Sequence, residues 1–350
     1  MFKCAIVAAG GPRARGHARA YRYIPRGQLV AISSRQRDKM DAFGDEFGIA
    51  ARYTDYREMF TKEKPDLVHV NTPPTVRLEV FEAAEAAGIP ALIVEKPLAV
   101  QGEDYLALCE FARHCKVKIA INHQLQFHPR RQMLQKLVED GRIGDIRFID
   151  ASARMNMAYQ GTHTLQAIGA FNPQGLPVSI FGQVSGANGL QPSAKEHYAP
   201  DETLAAITYD NGVSALLRCG PNSPVVAADP VTHKHKRIAV YGTRGHMLWT
   251  MWSWQTCVDG RIESGTHLYP DEDVLGQAAM TEAMLDWLLD DRKVHPLNLN
   301  SALRDFNTML GAYMSALQRK PLSLPVEPQA HLIATLRETL AEDTSGDAGA

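Results

Sequence analysis

The chain has 350 residues, too many for one ordinary hydrophobic core and enough for two domains of roughly 150 to 200 residues. Hydrophobic residues make up 45% and charged residues 22%, and a formal charge of -2 builds no field that would gather nucleic acid or an anionic membrane, so the expected partners are a small molecule and further copies of the chain. Cys4, Cys109, Cys115, Cys219 and Cys257 are an odd number without a C-x-x-C pair, which suggests neither a disulfide framework nor a metal ribbon and points to a reducing compartment.

Met1-Phe2-Lys3 leads straight into the strand-like Cys4-Ala5-Ile6-Val7, leaving no room for a signal peptide. No run of about 18 apolar residues marks a membrane span, so a cytoplasmic location is expected. The first β-rich run, Lys3 to Ala8, ends in Ala9-Gly10-Gly11-Pro12-Arg13-Ala14-Arg15-Gly16-His17, and Ala18 to Tyr23 then has helical character. Strand, glycine turn and helix form the setting in which backbone N–H groups and a helix N-terminus hold a pyrophosphate. In the G-x-G-x-x-G frame Ala8 stands first and Gly10 central, with the last glycine displaced to Gly16 by an insertion that includes Pro12. An ordinary βα turn would look the same.

Gln28 to Ile32 reads as the second strand, ending in Ser33-Ser34-Arg35. An NAD site usually places an acid here to take both ribose hydroxyls, whereas hydroxyls followed by arginine suit a 2′-phosphate. No acid occurs before Asp38, which favours NADP over NAD; a helix N-cap serine with a solvated arginine is the alternative. Arg37 to Phe47 reads as a helix, Leu67 to Val70 as a third core strand ending in Asn71-Thr72-Pro73-Pro74, and Thr75 to Ala87 as the next helix. Ala91 to Val94 is a buried parallel strand that delivers Glu95-Lys96-Pro97 to the mouth of the sheet, where a lysine can polarise a substrate oxygen. Tyr105 to His114 and Lys118 to Ile121 add a helix and a strand. Alternating β and α elements with short links imply an α/β fold with a doubly wound parallel sheet.

The succession of a glycine turn, Ser33-Ser34-Arg35, Asn71-Thr72-Pro73-Pro74, Glu95-Lys96-Pro97 and Asn122-His123-Gln124 resembles the Gfo/Idh/MocA family of NAD(P)-dependent oxidoreductases, over about residues 2 to 330. The resemblance implies an N-terminal Rossmann domain and a C-terminal α/β domain built on a large open, mostly antiparallel sheet. It implies action on sugars, cyclitols and related polyols, with Lys96 positioning and polarising the reacting oxygen. Gly10, Gly11, Arg13, Ser33, Ser34, Arg35, Asn71, Thr72, Pro73, Glu95, Lys96 and His123 are the positions it assigns to the cofactor.

His128 to Gly141 reads as an amphipathic helix with Met133, Leu134, Leu137 and Val138 at helical spacing, and the domain boundary is placed at 144/145. Beyond the strand-like Ile146 to Ala153 lies Arg154-Met155-Asn156-Met157-Ala158-Tyr159-Gln160-Gly161-Thr162-His163. The family carries Asp-x-x-x-His here. His163 matches the histidine, while Tyr159 stands in place of the aspartate and neither Gln160 nor Gln166 can act as a carboxylate. Oxidising a secondary alcohol requires a group to take the hydroxyl proton, which a histidine with pKa near about 6.5 can do and a lysine near about 10.4 cannot. Lys96, His163 and Tyr159 are therefore the catalytic candidates, and Lys96, Gln124, Arg154, Asn156, Tyr159, Gln160 and His163 the substrate-binding ones. A structural histidine at 163 and a packing tyrosine at 159 remain open.

Val178 to Gly186, Leu204 to Tyr209 and Val213 to Arg218 continue as strands, with Asn211-Gly212 as a type I′ hairpin signal, and Arg237 to Tyr241 pairs with His246 to Met251. Trp249, Met251 and Ser253 would share one face of an extended chain, Trp252 and Trp254 the other. Thr232-His233-Lys234-His235-Lys236-Arg237 reads as a solvated edge rather than a metal site. Asp273 to Asp290, Asn298 to Arg319 and Gln329 to Ala341 are helical, the second domain runs over 145–342, and 343–350 is expected to be disordered. The open sheet carries enough apolar surface for a homodimer or homotetramer.

The function expected is hydride transfer between NADP, or NAD, and a secondary alcohol or ketone of a sugar, cyclitol or sugar-derived acid. The alternatives are a glycosidase or lyase that uses a retained nucleotide for transient oxidation, and a nucleotide-binding regulator without turnover.

Overall fold

A computed structural model describes residues 1–192, 196–226, 229–230 and 234–346. Its contacts divide the chain into two compact units, the first comprising Met1–Leu98, Ala107–Pro129 and Pro270–Ala302 and the second Ala99–Leu106, Arg130–Tyr269 and Leu303–Ala350. The single boundary expected at 144/145 therefore does not describe the division, because a segment from the C-terminal half returns to the first unit. Ile121 N–H donates to Leu297 C=O at 2.9 Å within it.

The first unit is a six-stranded, wholly parallel sheet of order β3-β2-β1-β4-β5-β6. Its strands are β1 (Phe2–Val7), β2 (Gly27–Ser33), β3 (Ala51–Tyr53), β4 (Leu67–Val70), β5 (Ala91–Glu95) and β6 (Lys118–Asn122). Leu67 to Val70 is thus the fourth strand, since the half-exposed three-residue β3 carries too little apolar pattern to be seen in sequence. β4 and β5 are buried throughout, which is why they read as continuous apolar runs.

Helices α1 (Pro12–Ala20), α2 (Arg37–Phe47), α3 (Tyr56–Glu63), α4 (Arg77–Ala86) and α5 (Gly102–His114) follow successive strands. Ile6, Ala14, Ala18, Ile32, Met40 and Phe43 form one apolar layer. Leu67, Ile93 and Ala120 form another with Met280, Met284 and Leu285 of α8 (Tyr269–Leu289). Each Ile, Leu, Met or Phe among them contributes about 1.5–3 kcal/mol on burial.

The second unit is a nine-stranded sheet of order β14-β13-β12-β11-β7-β10-β9-β8-β15. Its strands are β7 (Ile146–Ala153), β8 (Pro177–Ser185), β9 (Glu202–Tyr209), β10 (Ser214–Cys219), β11 (Lys236–Gly242), β12 (Gly245–Thr250), β13 (Ser253–Val258), β14 (Arg261–Thr266) and β15 (Leu322–Ser323). Among the described strands of this sheet only β7 and β10 pair in parallel. α6 (Pro129–Glu139), α7 (Thr162–Phe171), α9 (Leu299–Gln318) and α10 (Leu332–Gly346) complete the helices. Helix α9 approaches β8 so closely that a Cβ on Gly182 would lie 2.1 Å from Ala312 C=O, and Gly182 N–H donates to Ser315 Oγ at 2.9 Å.

The β9–β10 hairpin forms at Asn211-Gly212, but as a three-residue turn. Tyr209 N–H meets Val213 C=O at 2.9 Å, and only Gly212, at φ 82°, is left-handed, whereas type I′ needs two such residues. Thr250 ends β12 and Ser253 starts β13, so Trp249 and Trp254 are cross-strand neighbours on one face rather than on opposite faces. β11 lies inside the sheet between β12 and β7, which overturns the solvated-edge reading. His235 is fully buried with Nε2 2.8 Å from Asp229 Oδ2, and Lys236 is buried too; Thr232 and His233 of that run lie outside the described residues. Helix α10 reaches Gly346, into the segment expected to be disordered, while 347–350 fall outside the described residues.

Candidate active site

The turn after β1 is open and leaves room for an anion. Ala8 at φ 60° and Gly10 at φ 106° are left-handed, and a Cβ on Gly10 would sit 3.0 Å from Lys39 Cβ. Gly11 caps α1 without a side chain, Pro12 occupies its first turn, and a Cβ on Gly11 would meet nothing within 4 Å. Open space over uncapped N–H groups is the cradle a pyrophosphate needs. Because Pro12 starts the helix, α1 begins six residues earlier than the sequence pattern indicates. Gly16 is an interior helical residue, and Arg13 occupies the last fingerprint position.

The end of β2 adjoins this turn, since Ala9 N–H donates to Ser33 C=O at 3.0 Å. Ser33 is buried, Arg35 is exposed, and Ser34 Oγ accepts from Gln36 N–H at 3.2 Å. After β4, Asn71 N–H donates to Val7 C=O at 3.1 Å, while the buried Asn71 Oδ1 and Thr72 Oγ1 have no hydrogen-bond partner in the structure. These orphaned acceptors and the open glycine turn fit a dinucleotide. Pro73 is exposed and Pro74 buried.

The carboxylate of Glu95 faces inward, not toward the open side where a cofactor contact was expected. Its Oε1 accepts from Arg13 Nε at 3.1 Å, from His17 Nε2 at 3.2 Å and from Asn122 Nδ2. Gln277 Oε1, from α8, accepts from the same Asn122 amide at 3.1 Å and from Arg13 Nη2 at 3.4 Å. Burial alone would raise the Glu95 carboxyl, but Arg13, His17 and Asn122 more than reverse it and hold it well below the usual range. His17 is pushed down by burial against the pull of Glu95, so it serves as a neutral Nε2–H donor. Glu95 thereby joins α1, β6 and α8 at the end of β5, and the next residue is the half-buried Lys96.

Arg77, fully buried in α4, spans the two motif loops: Nη2 donates to Thr72 C=O at 3.2 Å and Nη1 to Leu98 C=O at 3.4 Å. Burial lowers its pKa to about 9, which leaves it charged at neutral pH. His123 is buried after β6. Gln124, expected to meet substrate, is also buried, and its Nε2 donates to Asp273 Oδ1 at 2.8 Å. Asp273 lies 3.9 Å from Arg13 Nη1 and accepts from His128 Nε2 at 3.3 Å; these partners overcome burial and take its pKa to about 2. Sequence reading missed His17, Arg77, Asp273 and Gln277, whose partners lie up to 264 residues away in the chain.

In the second unit β7 ends at Ala153, and one turn of π-helix, Met157–Gly161, leads into α7. Asn156 caps that turn, its Oδ1 accepting from Tyr159 N–H at 3.0 Å, so it is held by the backbone. Arg154 Nε donates to Pro221 C=O at 2.8 Å. Tyr159 is half-buried and stacks on His197 with ring centroids 4.6 Å apart and planes 15° from parallel. His163 is buried in the first turn of α7, four residues after Tyr159 and thus on the same helical side, with Gln160 half-buried between them. Further along α7, Gln166 Oε1 accepts from the buried Arg131 at 3.3 Å. His197 carried no sequence signal, because it lies in irregular chain before β9.

The described residues contain no group of three or more His, Cys, Asp or Glu side chains able to hold a metal ion, and no helix long and apolar enough to cross a membrane. Residues 2–123 match a family model described as the oxidoreductase family with NAD-binding Rossmann fold, and the residues at the glycine turn fit a nicotinamide dinucleotide. The chain is 25% identical over 227 residues to D-apiose dehydrogenase of Paraburkholderia graminis, covering 62% of this chain and 60% of that protein. It is 22% identical over 235 residues to inositol 2-dehydrogenase of Rhizobium meliloti, covering 65% and 70%. The aligned stretch thus spans about 60% of the first relative's length. A levoglucosan dehydrogenase in complex with NADH shares the fold at TM-score 0.78 and 15% identity, covering 93% of this chain and 99% of that one. The matched Rossmann segment and these relatives thus show what the chain is similar to, the Gfo/Idh/MocA oxidoreductases, with the family model itself confined to residues 2–123.

Proposed function

We propose that the protein is an NADP(H)-preferring dehydrogenase or reductase acting on a secondary alcohol or ketone of a sugar, cyclitol or sugar-derived acid. The observation that carries this reading is the Glu95 hub, which fixes the end of β5 beside an anion-ready turn and so fixes the backbone of Lys96. When bound, the nicotinamide supplies the hydride acceptor or donor. Lys96 polarises and orients the reacting oxygen, and His163 takes its proton during oxidation or returns it during reduction. Tyr159, in place of the family's aspartate, offers a hydroxyl to the substrate instead of a second base. Arg154 and Gln160 are the remaining substrate candidates, while Glu95, Asn156 and Gln124 position other groups.

Ser33, Ser34 and Arg35 support NADP over NAD. Charge-assisted bonds from Arg35 to a 2′-phosphate are worth on the order of 1.5–3 kcal/mol, or roughly 10- to 100-fold in affinity. A spectrophotometric screen of sugars and polyols with each cofactor should give stoichiometric change in reduced nicotinamide. Turnover of a glycoside without net change would contradict the reading.

Assembly belongs to the same proposal. On the outer side of the second sheet Phe181, Phe148, Tyr241 and Ile262 are exposed around the half-buried Leu216, a surface suited to closing a two-fold dimer. Sedimentation should give at least twice the 38.6 kDa chain mass, and a monomer would refute it. All five cysteines are free, which supports a reducing, cytoplasmic setting.

A further inference from the structure

Beside the end of β2 the structure assembles a charged cluster in which Arg35 and Glu79 meet Tyr56 and Arg57, from a stretch without a sequence signal. Ser34 N–H donates to Tyr53 C=O at 3.0 Å, which brings the end of β3 alongside Ser33-Ser34-Arg35. Two residues on, Asp55 caps α3, its Oδ1 accepting from Arg57 N–H at 2.9 Å. The Arg57 guanidinium lies over the Tyr56 ring at 4.7 Å and pairs with Glu79 in the first turn of α4. Tyr56 Oη donates to the same Glu79 oxygen at 3.2 Å. Arg57, then Tyr56, and at longer range Arg35 keep the Glu79 carboxyl below its usual range, so it is ionised at neutral pH.

We propose that Arg57 is a second ligand for an adenosine 2′-phosphate, acting with Arg35, and that Glu79 is the counter-ion it leaves when that phosphate binds. This rests on the NADP reading above and goes beyond it by naming the groups that set the preference. The cluster stands at the carboxyl ends of β2 and β3, the side of a parallel sheet on which nucleotides bind. Arg57 and Glu79 are each about half exposed, and an exposed pair of this kind is weak, so exchanging its carboxylate for a phosphate costs little. A phosphate accepts a bidentate guanidinium at higher charge than a carboxylate does. Tyr56 keeps the guanidinium plane in place through the exchange. Glu79, once released, opposes the phosphate by like charge, so it holds the preference below what two arginines alone would give.

Calorimetric titration of the full chain with adenosine 2′,5′-bisphosphate and with adenosine 5′-diphosphate separates the 2′-phosphate from the rest of the nucleotide. Arg57→Met should weaken the bisphosphate by about 10-fold and leave the diphosphate within about 2-fold, with Arg57→Lys between. Glu79→Gln should tighten the bisphosphate by roughly 3- to 10-fold without changing the diphosphate. An unchanged bisphosphate affinity in Arg57→Met would overturn the proposal. So would a Glu79→Gln protein that loses diphosphate affinity, because Glu79 would then be a ribose-hydroxyl acceptor. A wild-type preference for the diphosphate would instead refute the NADP reading, and the Glu79→Gln change in the ratio of the two affinities would still decide the role of Glu79.

Discussion

In the first unit the end of β5 is held by buried charge, with one Glu95 oxygen shared by Arg13, His17 and Asn122. In the second, the π-helical turn that leads into α7 is held by a side-chain cap from Asn156 and an aromatic stack between Tyr159 and His197. The two arrangements fail differently. Removing one member of a buried ionic hub leaves a desolvated partner, whereas removing a cap or a stacked ring forfeits only that contact. The first unit should therefore tolerate change at Glu95 far less than the second tolerates change at Tyr159 or His197.

The largest expected effect follows from Glu95→Ala, which strands the buried His17 and Asn122 donors and leaves the partly exposed Arg13 with Gln277. Denaturant unfolding should show a loss of about 2–4 kcal/mol, and a loss below about 1 kcal/mol would mean that the hub is not a structural anchor. His197→Ala, on the other side of the comparison, should cost about 0.5–1.5 kcal/mol by the same measurement. An effect as large as that of Glu95→Ala would erase the contrast.

The smallest effect is a pH dependence inside the second unit. Asp305 of α9 is pushed up to about 7, chiefly by desolvation and against a weaker opposing effect of Arg304, and because the residue is only half-buried, solvent screening leaves about 1 kcal/mol of stability at stake. A carboxyl whose folded pKa is raised stabilises fully below its unfolded value near about 4, and that stability is lost as pH rises toward 7. Asp305→Asn should therefore match wild type at pH 4 and melt roughly 2–4 °C higher at pH 8. A constant offset across this range would contradict the shift.

The same contrast explains what could be read in the sequence. β4 and β5 were legible because strands buried on both faces form unbroken apolar runs, and Glu95-Lys96-Pro97 stood out because it ends one. The hub around Glu95 was not legible, since its donors come from residues 13, 17 and 122 and no local pattern marks a long-range pair. The start of α1 was misplaced because Pro12 looked like an insertion, although proline suits the first turn of a helix. In the second sheet, alternation located β8, β9 and β10, but β13 and β14 escaped because nearly all their residues are partly or fully exposed. His235 and Lys236 are buried although their polar type suggests exposure, because β11 is an interior strand.

Lys96 is the residue on which the functional reading turns. The most direct measurement is the single-turnover rate of hydride transfer in Lys96→Ala, taken with the cofactor dissociation constant of the same protein. The rate should fall by roughly 10² or more while cofactor affinity stays within about 2-fold of wild type, as for a group acting mainly in the transition state. Near-normal hydride transfer in that variant would contradict the account.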